Sequence, residues 1–177
     1  MRIELASRGD VAAILDIANW AAAHLASNFA LQPEPLDEWL AAYDRTHERY
    51  PWLVAREGDR VVGFAKAGPH RARGAYAWTA EMTVYVHPDH HRRGIARALY
   101  ARLIPTLQAQ GYVTLLAGIA SPHPPSEKLH EAFGFRRCAT FHRMGFKFGR
   151  WHDVGYWELQ LRDGEPAPIK TVREAMG

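Results

Sequence analysis

A short basic segment with one glycine is the part of the sequence whose residue types and spacing most clearly indicate chemistry. It reads His91-Arg92-Arg93-Gly94 and lies between a β-branched run that ends at Val86 and a stretch with apolar residues at helical spacing from Ile95 onward. A helix that begins here directs free N–H groups and the positive end of its dipole at an anion. Gly94 lets a phosphate approach because it has no Cβ, and the two arginines add charge. The pattern predicts a phosphate-binding site, with a solvated basic turn that only caps the helix as the alternative.

The same segment disfavours two other phosphate-binding loops and a metal site. No Gly-Lys-Ser/Thr follows, as a Walker A loop requires, and the pattern Gly-x-Gly-x-x-Gly is absent. His87, His90 and His91 are of a common metal-ligand type, but no cysteine or acidic partner lies nearby at zinc-like spacing. We therefore expect no metal.

Hydrophobic periodicity predicts that strands and helices surround this loop. The predicted strands are Arg2–Leu5, Trp52–Arg56, Arg60–Ala67, Thr79–Val86, Val113–Ile119, Arg136–Phe146 and Gly155–Leu161. The predicted helices follow Asp10, begin near Pro35, span Gly94–Gln110 and span Ser126–Phe133. A side-chain oxygen of Asp10 is expected to cap the first helix. Pro105 is expected to kink the third helix or end it early, because proline lacks the N–H of a helical hydrogen bond.

Length and composition fit one globular domain over residues 1–161. Residues 162–177 contain Pro166 and Pro168 and are expected to be a loosely structured tail. No apolar run is long enough for a membrane helix, and the N-terminus lacks the apolar stretch of a signal peptide. Cys138 is the one cysteine, which excludes an internal disulfide and fits the cytoplasm. We expect its side chain to be small, apolar in behaviour and buried.

Positive charge is clustered although the formal net charge is only +3. The clusters lie at 70–73, 90–93 and 136–137. Clustered lysine and arginine bind either nucleic acid or a phosphorylated small molecule. Composition alone leaves both open.

Five segments together resemble a known family. The loop His91-Arg92-Arg93-Gly94-Ile95-Ala96 resembles the coenzyme A loop of the GNAT superfamily of N-acetyltransferases, Gln/Arg-x-x-Gly-x-Gly/Ala, with His91 as a departure. ERYPWLVA (48–55), AYAWTAEMTVYV (75–86), KLHEAFGF (128–135) and FKFGRWHDVGYW (146–157) resemble the phosphinothricin N-acetyltransferases, which also acetylate methionine sulfoximine and sulfone. The resemblance implies an α/β (α+β) GNAT fold, a mixed and mostly antiparallel sheet that is splayed at the cofactor and flanked by helices. It also implies a homodimer.

The resemblance implies that acetyl-CoA is the co-substrate. Val84–Val86 match the strand whose backbone pairs with the pantetheine arm, and that backbone can polarise the thioester carbonyl. His123 stands where relatives carry an asparagine that touches the pantetheine. The residues expected to bind coenzyme A are Val84, Tyr85, Val86, Arg92, Arg93, Gly94, Ile95, Ala96, Arg97 and His123.

Two residues receive catalytic roles from the resemblance. Glu81 matches the general base that removes a proton from the acceptor ammonium, and the alternative is a glutamate at the surface or a dimer edge. His130 lies where many GNAT enzymes carry a tyrosine that protonates the departing thiolate. The alternative for His130 is packing against the cofactor sulfur.

The acceptor pocket is assigned in the same way to Phe29, Arg73, Tyr76, Thr83 and Val154. The guanidinium of Arg73 suits a carboxylate, phosphinate or sulfonyl oxygen, and a solvated loop cation is the alternative. Ala120 replaces a glycine that is frequent in the phosphinothricin enzymes, which would narrow the pocket.

The predicted function is transfer of an acetyl group from acetyl-CoA to the amine of a small amino-acid-like acceptor. A protein N-terminal acetyltransferase and a non-catalytic coenzyme A-binding module are the alternatives. A binding module has no need of Glu81, and the aromatic segment WHDVGYW, which we expect to close over the pocket, favours a compact acceptor. Coenzyme phosphates would account for the basic clusters, so we expect no nucleic acid and no membrane partner.

Overall fold

The computed structural model describes all 177 residues. One seven-stranded sheet has the strand order β1-β2-β3-β4-β5-β7-β6. The strands are β1 (Arg2–Leu5), β2 (Trp52–Glu57), β3 (Arg60–Pro69), β4 (Thr79–Val86), β5 (Thr114–Ser121), β6 (Arg136–Lys147) and β7 (Arg150–Gln160). The helices are α1 (Val11–His24), α2 (Leu36–Thr46), α3 (Ile95–Gln110), α4 (Pro124–Ala132) and α5 (Val172–Met176). None of the helices is long and apolar enough to cross a membrane.

The sheet is antiparallel except where β4 meets β5. These two strands run parallel because α3 connects them as a crossover helix. Their pairing covers only Thr79–Glu81 against Thr114–Leu116, although β4 continues to Val86 and β5 to Ser121. The predicted mixed, mostly antiparallel sheet with flanking helices is therefore confirmed.

Two apolar clusters lie on opposite faces of the sheet, as the alternation of side chains along a strand requires. On β3, Ala65 and Ala67 belong to the cluster that includes the buried α3 residue Leu103, whereas Phe64 belongs to the cluster that includes Ile14 of α1. The helices thus cover both faces, and β4 lies in the middle of the sheet between the two clusters.

The expectations that Pro105 ends the third helix early and that Asp10 caps the first helix are wrong. α3 continues past Pro105 to Gln110, because the buried Leu107 packs in the core. Asp10 stands at the start of α1 but does not cap it.

The Asp10 carboxylate is held instead by groups from outside α1. It accepts from the N–H and the hydroxyl of Ser7, each at 2.8 Å, and it pairs with Arg56 of β2. The guanidinium of Arg56 also contacts Glu4, so the attraction of a half-buried cation directs the carboxylate away from the helix end.

The tail over 162–177 is not loose at its end. α5 begins with a capping box in which Thr171 and Glu174 exchange hydrogen bonds, and Val172 is 4% exposed. Gln110 of α3 donates its side-chain N–H to the carbonyl of Lys170 at 2.9 Å. The prolines of this segment obscured these contacts in the sequence.

Cys138 is exposed, so the expectation of a buried side chain is wrong. β6 is an edge strand, and most of its residues are exposed for that reason. β7 begins at Arg150, five residues before the expected Gly155, because a tight turn at Phe148 and Gly149, both with positive φ, returns the chain directly from β6.

Candidate active site

The divergence of β4 and β5 opens a cleft in the middle of the sheet. β4 residues Val84–Val86 pair on one side with β3, at Ala65, Phe64 and Gly63, and have no strand on the other side. Their outward backbone N–H and C=O groups are free to bind an extended ligand. The family resemblance assigns the pantetheine arm to this part of β4.

The loop between β4 and α3 provides an anion site at one end of this cleft. Gly94 has φ +76°, a conformation that favours glycine, and a Cβ there would meet nothing within 4 Å. No side chain caps the first N–H groups of α3, so they remain free. His91 donates from Nε2 to the Val86 carbonyl at 2.9 Å, which fixes the loop against the end of β4. These features fit a pyrophosphate.

The arginines near the loop are not equivalent. Arg92 is exposed and forms no ion pair, whereas Arg93 bonds to Glu57 at 2.9 Å and donates to His90 at 2.8 Å. The Arg97 guanidinium lies 5.6 Å from the centre of the Phe133 ring. Arg92 is therefore the arginine of the loop with its charge most available to a ligand.

Glu81 is the last β4 residue that pairs with β5, so its carboxylate lies at the fork of the cleft. Its side chain is 36% exposed, and one oxygen lies 3.4 Å from Nδ1 of His70. Gly118 of β5 faces it, and a Cβ on that glycine would come within 3.8 Å of the other carboxylate oxygen. Burial and the charge of Glu81 raise the pKa of Tyr156, while Arg71 lowers it. The carboxylate is thus accessible to solvent, and the absence of a side chain at Gly118 leaves it room.

His130 lies in the core rather than in the cleft. It is 2% exposed, its Nδ1 donates to the Ser126 carbonyl at 2.7 Å, and its Nε2 accepts from the Tyr100 hydroxyl at 3.1 Å. Burial lowers the pKa of His130. Its neutral ring has no proton on Nε2 to give.

His123 stands at the start of α4, where its Nδ1 accepts from the Ser126 N–H at 3.2 Å. A neutral ring that accepts at Nδ1 carries its proton on Nε2, and that nitrogen has no partner within the protein. His123 therefore has a free donor of the kind that the replaced asparagine amide would supply.

A cavity of about 460 Å³ lies further along β5. Its wall includes Ala120 and His123 on one side and Ser27, from the segment between α1 and α2, on another. Trp151, His152 and Asp153 complete it. The segment WHDVGYW is part of strand β7 and lines the cavity as a wall, not as a flap that closes over it.

A lysine that the sequence analysis did not single out holds the segment between α1 and α2 in place. Lys147 is 6% exposed, and its ammonium lies 2.5 to 3.2 Å from four backbone carbonyl oxygens. They belong to Ala22, Leu25, Asn28 and Ala30. Nothing in the sequence marks this contact, because the lysine is more than a hundred residues away from the segment.

The residues expected to line the acceptor pocket lie on several different elements. Phe29 lies against Gly145, and the Val154 side chain lies 3.6 Å from the position that a Cβ on Gly118 would occupy. Tyr76 packs edge-on against the ring of His70. Thr83 is on β4, two residues after Glu81 and on the same face of the strand.

Arg73 is exposed at the start of the short turn that contains Tyr76 and forms no ion pair. Neighbouring Arg71 lies 5.9 Å from the centre of the Tyr76 ring. Both arginines belong to the loop between β3 and β4, at the strand end that lies next to Glu81.

A family model decides what this arrangement represents. The model of the acetyltransferase (GNAT) domain matches residues 3–155. The chain belongs to the GNAT acetyltransferase family.

Similar proteins extend this assignment. The acetyltransferase is 43% identical to phosphinothricin N-acetyltransferase from Streptomyces viridochromogenes, over 98% of its own length and 93% of that protein. It is 38% identical to L-methionine sulfoximine/L-methionine sulfone acetyltransferase from Salmonella typhimurium, over 95% and 98%. An acetyltransferase from Salmonella typhimurium, solved with its cofactor acetyl-CoA, has a TM-score of 0.90 at 38% identity and covers 95% of this chain and 97% of that one. The resemblance predicted from the sequence is confirmed.

Proposed function

We propose that this acetyltransferase transfers the acetyl group of acetyl-CoA to the amine of a small amino-acid-like molecule. One observation carries the proposal: Glu81, an accessible carboxylate, lies at the fork where β4 leaves β5, next to the strand and loop that suit coenzyme A. The names of the similar proteins support both the reaction and the kind of acceptor.

The chain's own residues suffice for a direct transfer. Glu81 takes a proton from the acceptor ammonium, and the neutral nitrogen then bonds to the acetyl carbon. The carbon–sulfur bond breaks, the nitrogen loses its second proton to water to give the neutral amide, and the thiolate takes a proton from water. Backbone N–H groups of β4 near Val84 stabilise the negative charge that develops on the carbonyl oxygen. No enzyme nucleophile is required, and Cys138 lies on the edge strand β6.

In this proposal His130 has a packing role and does not donate a proton to the thiolate. Its ring is buried, and both ring nitrogens are engaged within the protein, at Ser126 and Tyr100. Donation to a thiolate would require breaking one of these bonds and charging a ring whose pKa burial lowers. We assign it to the attachment of α4 to α3.

The acceptor is proposed to be a zwitterion. Glu81 attracts the ammonium group, and the exposed guanidinium groups of Arg71 and Arg73 supply the opposite charge on the loop after β3. A simple alkylamine would use only the first of these contacts. A peptide acceptor remains the alternative, and the choice of acceptors below separates it from a free amino acid.

We also propose that two copies of the chain associate through the hairpin patch, defined as the exposed apolar residues Phe141, Met144, Phe146, Phe148 and Trp151. Each of them is 49 to 58% exposed on the β6–β7 hairpin. Contiguous exposed apolar side chains of this kind mark protein contact surfaces. Sedimentation of the wild type and of Phe146→Asp tests this: a dimer that the substitution dissociates supports it, and a monomeric wild type contradicts it.

The proposed function is tested with Glu81→Gln. We expect nearly unchanged acetyl-CoA binding by calorimetry and a kcat at neutral pH lowered by about 10² to 10⁴, as for loss of a general base. Acceptors should include methionine sulfoximine, methionine sulfone, phosphinothricin, butylamine and a short peptide, with release of free coenzyme A as the readout. A loss below about tenfold contradicts the role of Glu81. Preference for the peptide or for butylamine contradicts the proposed acceptor class.

A further inference from the structure

A histidine that none of the assigned roles uses lies beside the proposed base. His70 follows directly after the last residue of β3, and Pro69 at that end pairs with Ala80, the neighbour of Glu81. Its Nδ1 is 3.4 Å from a carboxylate oxygen of Glu81, and its side chain is 18% exposed. The ring is therefore half-buried and still in contact with solvent.

The surroundings of His70 hold the ring in this position. Its centre lies 5.6 Å from that of the Tyr76 ring, in an edge-to-face arrangement. The Arg71 guanidinium packs over the same tyrosine at 5.9 Å. Arg71, Tyr76 and Tyr156 are charged or titratable groups close to the pair, and Glu158 of β7 lies on the same face of the sheet as Glu81. His70 Nε2 has no partner within the protein.

The proposed reaction leaves a proton on Glu81 in every turnover, and that proton must leave before the next one. An imidazole beside a carboxylic acid can accept its proton at one ring nitrogen. A histidine with one nitrogen at the carboxylate and the other free can also release the proton on its far side.

We infer that His70 relays the proton from Glu81 to solvent. The acceptor ammonium gives its proton to the Glu81 carboxylate, and the resulting carboxylic acid donates that proton to the lone pair of His70 Nδ1, which restores the carboxylate. The imidazolium then releases its Nε2 proton to water, and exchange with water restores the starting tautomer. No other reactant is needed. The inference rests on the proposed function, and His70 acts through Glu81 without touching the acceptor.

The relay is tested with His70→Phe and His70→Ala. Phenylalanine keeps a ring against Tyr76 but carries no proton, and alanine leaves space for a small buffer molecule. We expect kcat in dilute buffer to fall about tenfold or more in both, at the lower end of proton-transfer effects, with KM for acetyl-CoA unchanged. Added imidazole should restore kcat in His70→Ala far more than in His70→Phe, in proportion to its concentration.

A matched control is His47→Gln, which removes a histidine at the C-terminal end of α2. It should behave as wild type at every imidazole concentration. An unchanged kcat in His70→Phe, or a lowered kcat that imidazole does not restore in His70→Ala, overturns the relay. A change confined to acceptor KM would make His70 a binding residue and would also overturn it. All of these outcomes leave the Glu81→Gln result intact, so failure of the relay and failure of the proposed function are separable.

Discussion

The ring of Phe29 lies directly against the backbone of Gly145. A Cβ at Gly145 would come within 2.7 to 2.8 Å of three ring atoms, closer than packed side chains tolerate. Phe29 belongs to the segment between α1 and α2, and Gly145 to the part of β6 where the register with β7 shifts. The segment between α1 and α2 and strand β6, which we propose border the acceptor pocket, therefore meet at this contact.

Gly145→Ala should displace Phe29. The ring is 37% exposed and can move outward, so we expect folding to survive and the acceptor KM to change by about tenfold, an effect of about 1.4 kcal/mol. Steady-state kinetics measures this, with acetyl-CoA KM as the internal reference. Gly9→Ala is the control, since a Cβ there makes only an ordinary 3.6 Å contact. Unaltered acceptor kinetics in Gly145→Ala would remove Phe29 from the pocket.

Arg73→Ala should raise the KM for amino-acid-like acceptors and spare acetyl-CoA. A charge-assisted hydrogen bond contributes about 1.5 to 3 kcal/mol, so kcat/KM should fall by about 10- to 150-fold. Butylamine, which has no anionic group, should be a poor substrate of the wild type and barely affected. Arg45→Ala, an exposed arginine of α2, is the control. Equal losses for butylamine and methionine sulfoximine would contradict charge recognition by Arg73.

Gly94→Val should weaken binding of coenzyme A. The side chain would project into the space in front of the free N–H groups of α3 and exclude the pyrophosphate. Valine also strains the positive φ, so Gly164→Val is a matched control, with φ +90° and nothing near its Cβ. Calorimetric titration with coenzyme A decides the matter, and wild-type affinity in folded Gly94→Val would place the phosphates elsewhere.

Lys147→Met should destabilise the chain. Methionine fills the volume but leaves four carbonyl groups without the ammonium that now binds them. Carbonyl groups near the exposed ends of the segment can hydrogen-bond to water instead, which limits the loss. We therefore expect the free energy of unfolding to fall by about 2 to 3 kcal/mol. Urea denaturation measures it, and Lys128→Met on exposed α4 is the control. A loss below about 0.5 kcal/mol, typical of surface positions, would contradict the role assigned to Lys147.

The free energy of unfolding should fall in mild acid because of His130. Burial lowers its pKa in the folded chain, whereas the unfolded imidazole titrates near about 6.5. Below that pH the unfolded chain binds a proton that the folded chain does not, so unfolding becomes easier as the pH falls until the folded pKa is reached. The free energy of unfolding of His130→Gln should lack this slope between pH 7.5 and about pH 5. Parallel curves for the two proteins would contradict the inference.

The sequence predicted the strands and most helices, because periodicity and the turn at Gly58 are local signals. Local signals also explain the failures. Pro105 breaks an isolated helix, but Leu107 and the rest of the α3 face are fixed by the core. The splay of the sheet could be predicted only from the family resemblance. It arises because only a few residues of β4 and β5 pair, and no local pattern indicates that number.

The candidate site could be predicted from the sequence where one segment forms it, but not where residues distant in sequence come together. Gly94 and its arginines form a contiguous pattern, and Glu81 stands within a recognisable strand. Lys147 reaches Asn28 across 119 positions, and His70 reaches Glu81 around the loop between β3 and β4. Neither contact has a sequence motif, because each depends on where the sheet brings its strand ends.

The short parallel pairing of β4 and β5 gives the sheet an internal edge. A sheet of this order has outer edges at β1 and β6, but beyond Glu81 the strand β4 behaves on one side as an edge strand would. Recognition along an edge runs through main-chain groups, which every amino acid except proline provides alike. Recognition along this edge therefore does not require the side chains of Val84 and Val86, and both pack against the core on the α3 face. Substitutions among apolar residues at these two positions should change the stability of the protein before they change the ligand that it accepts.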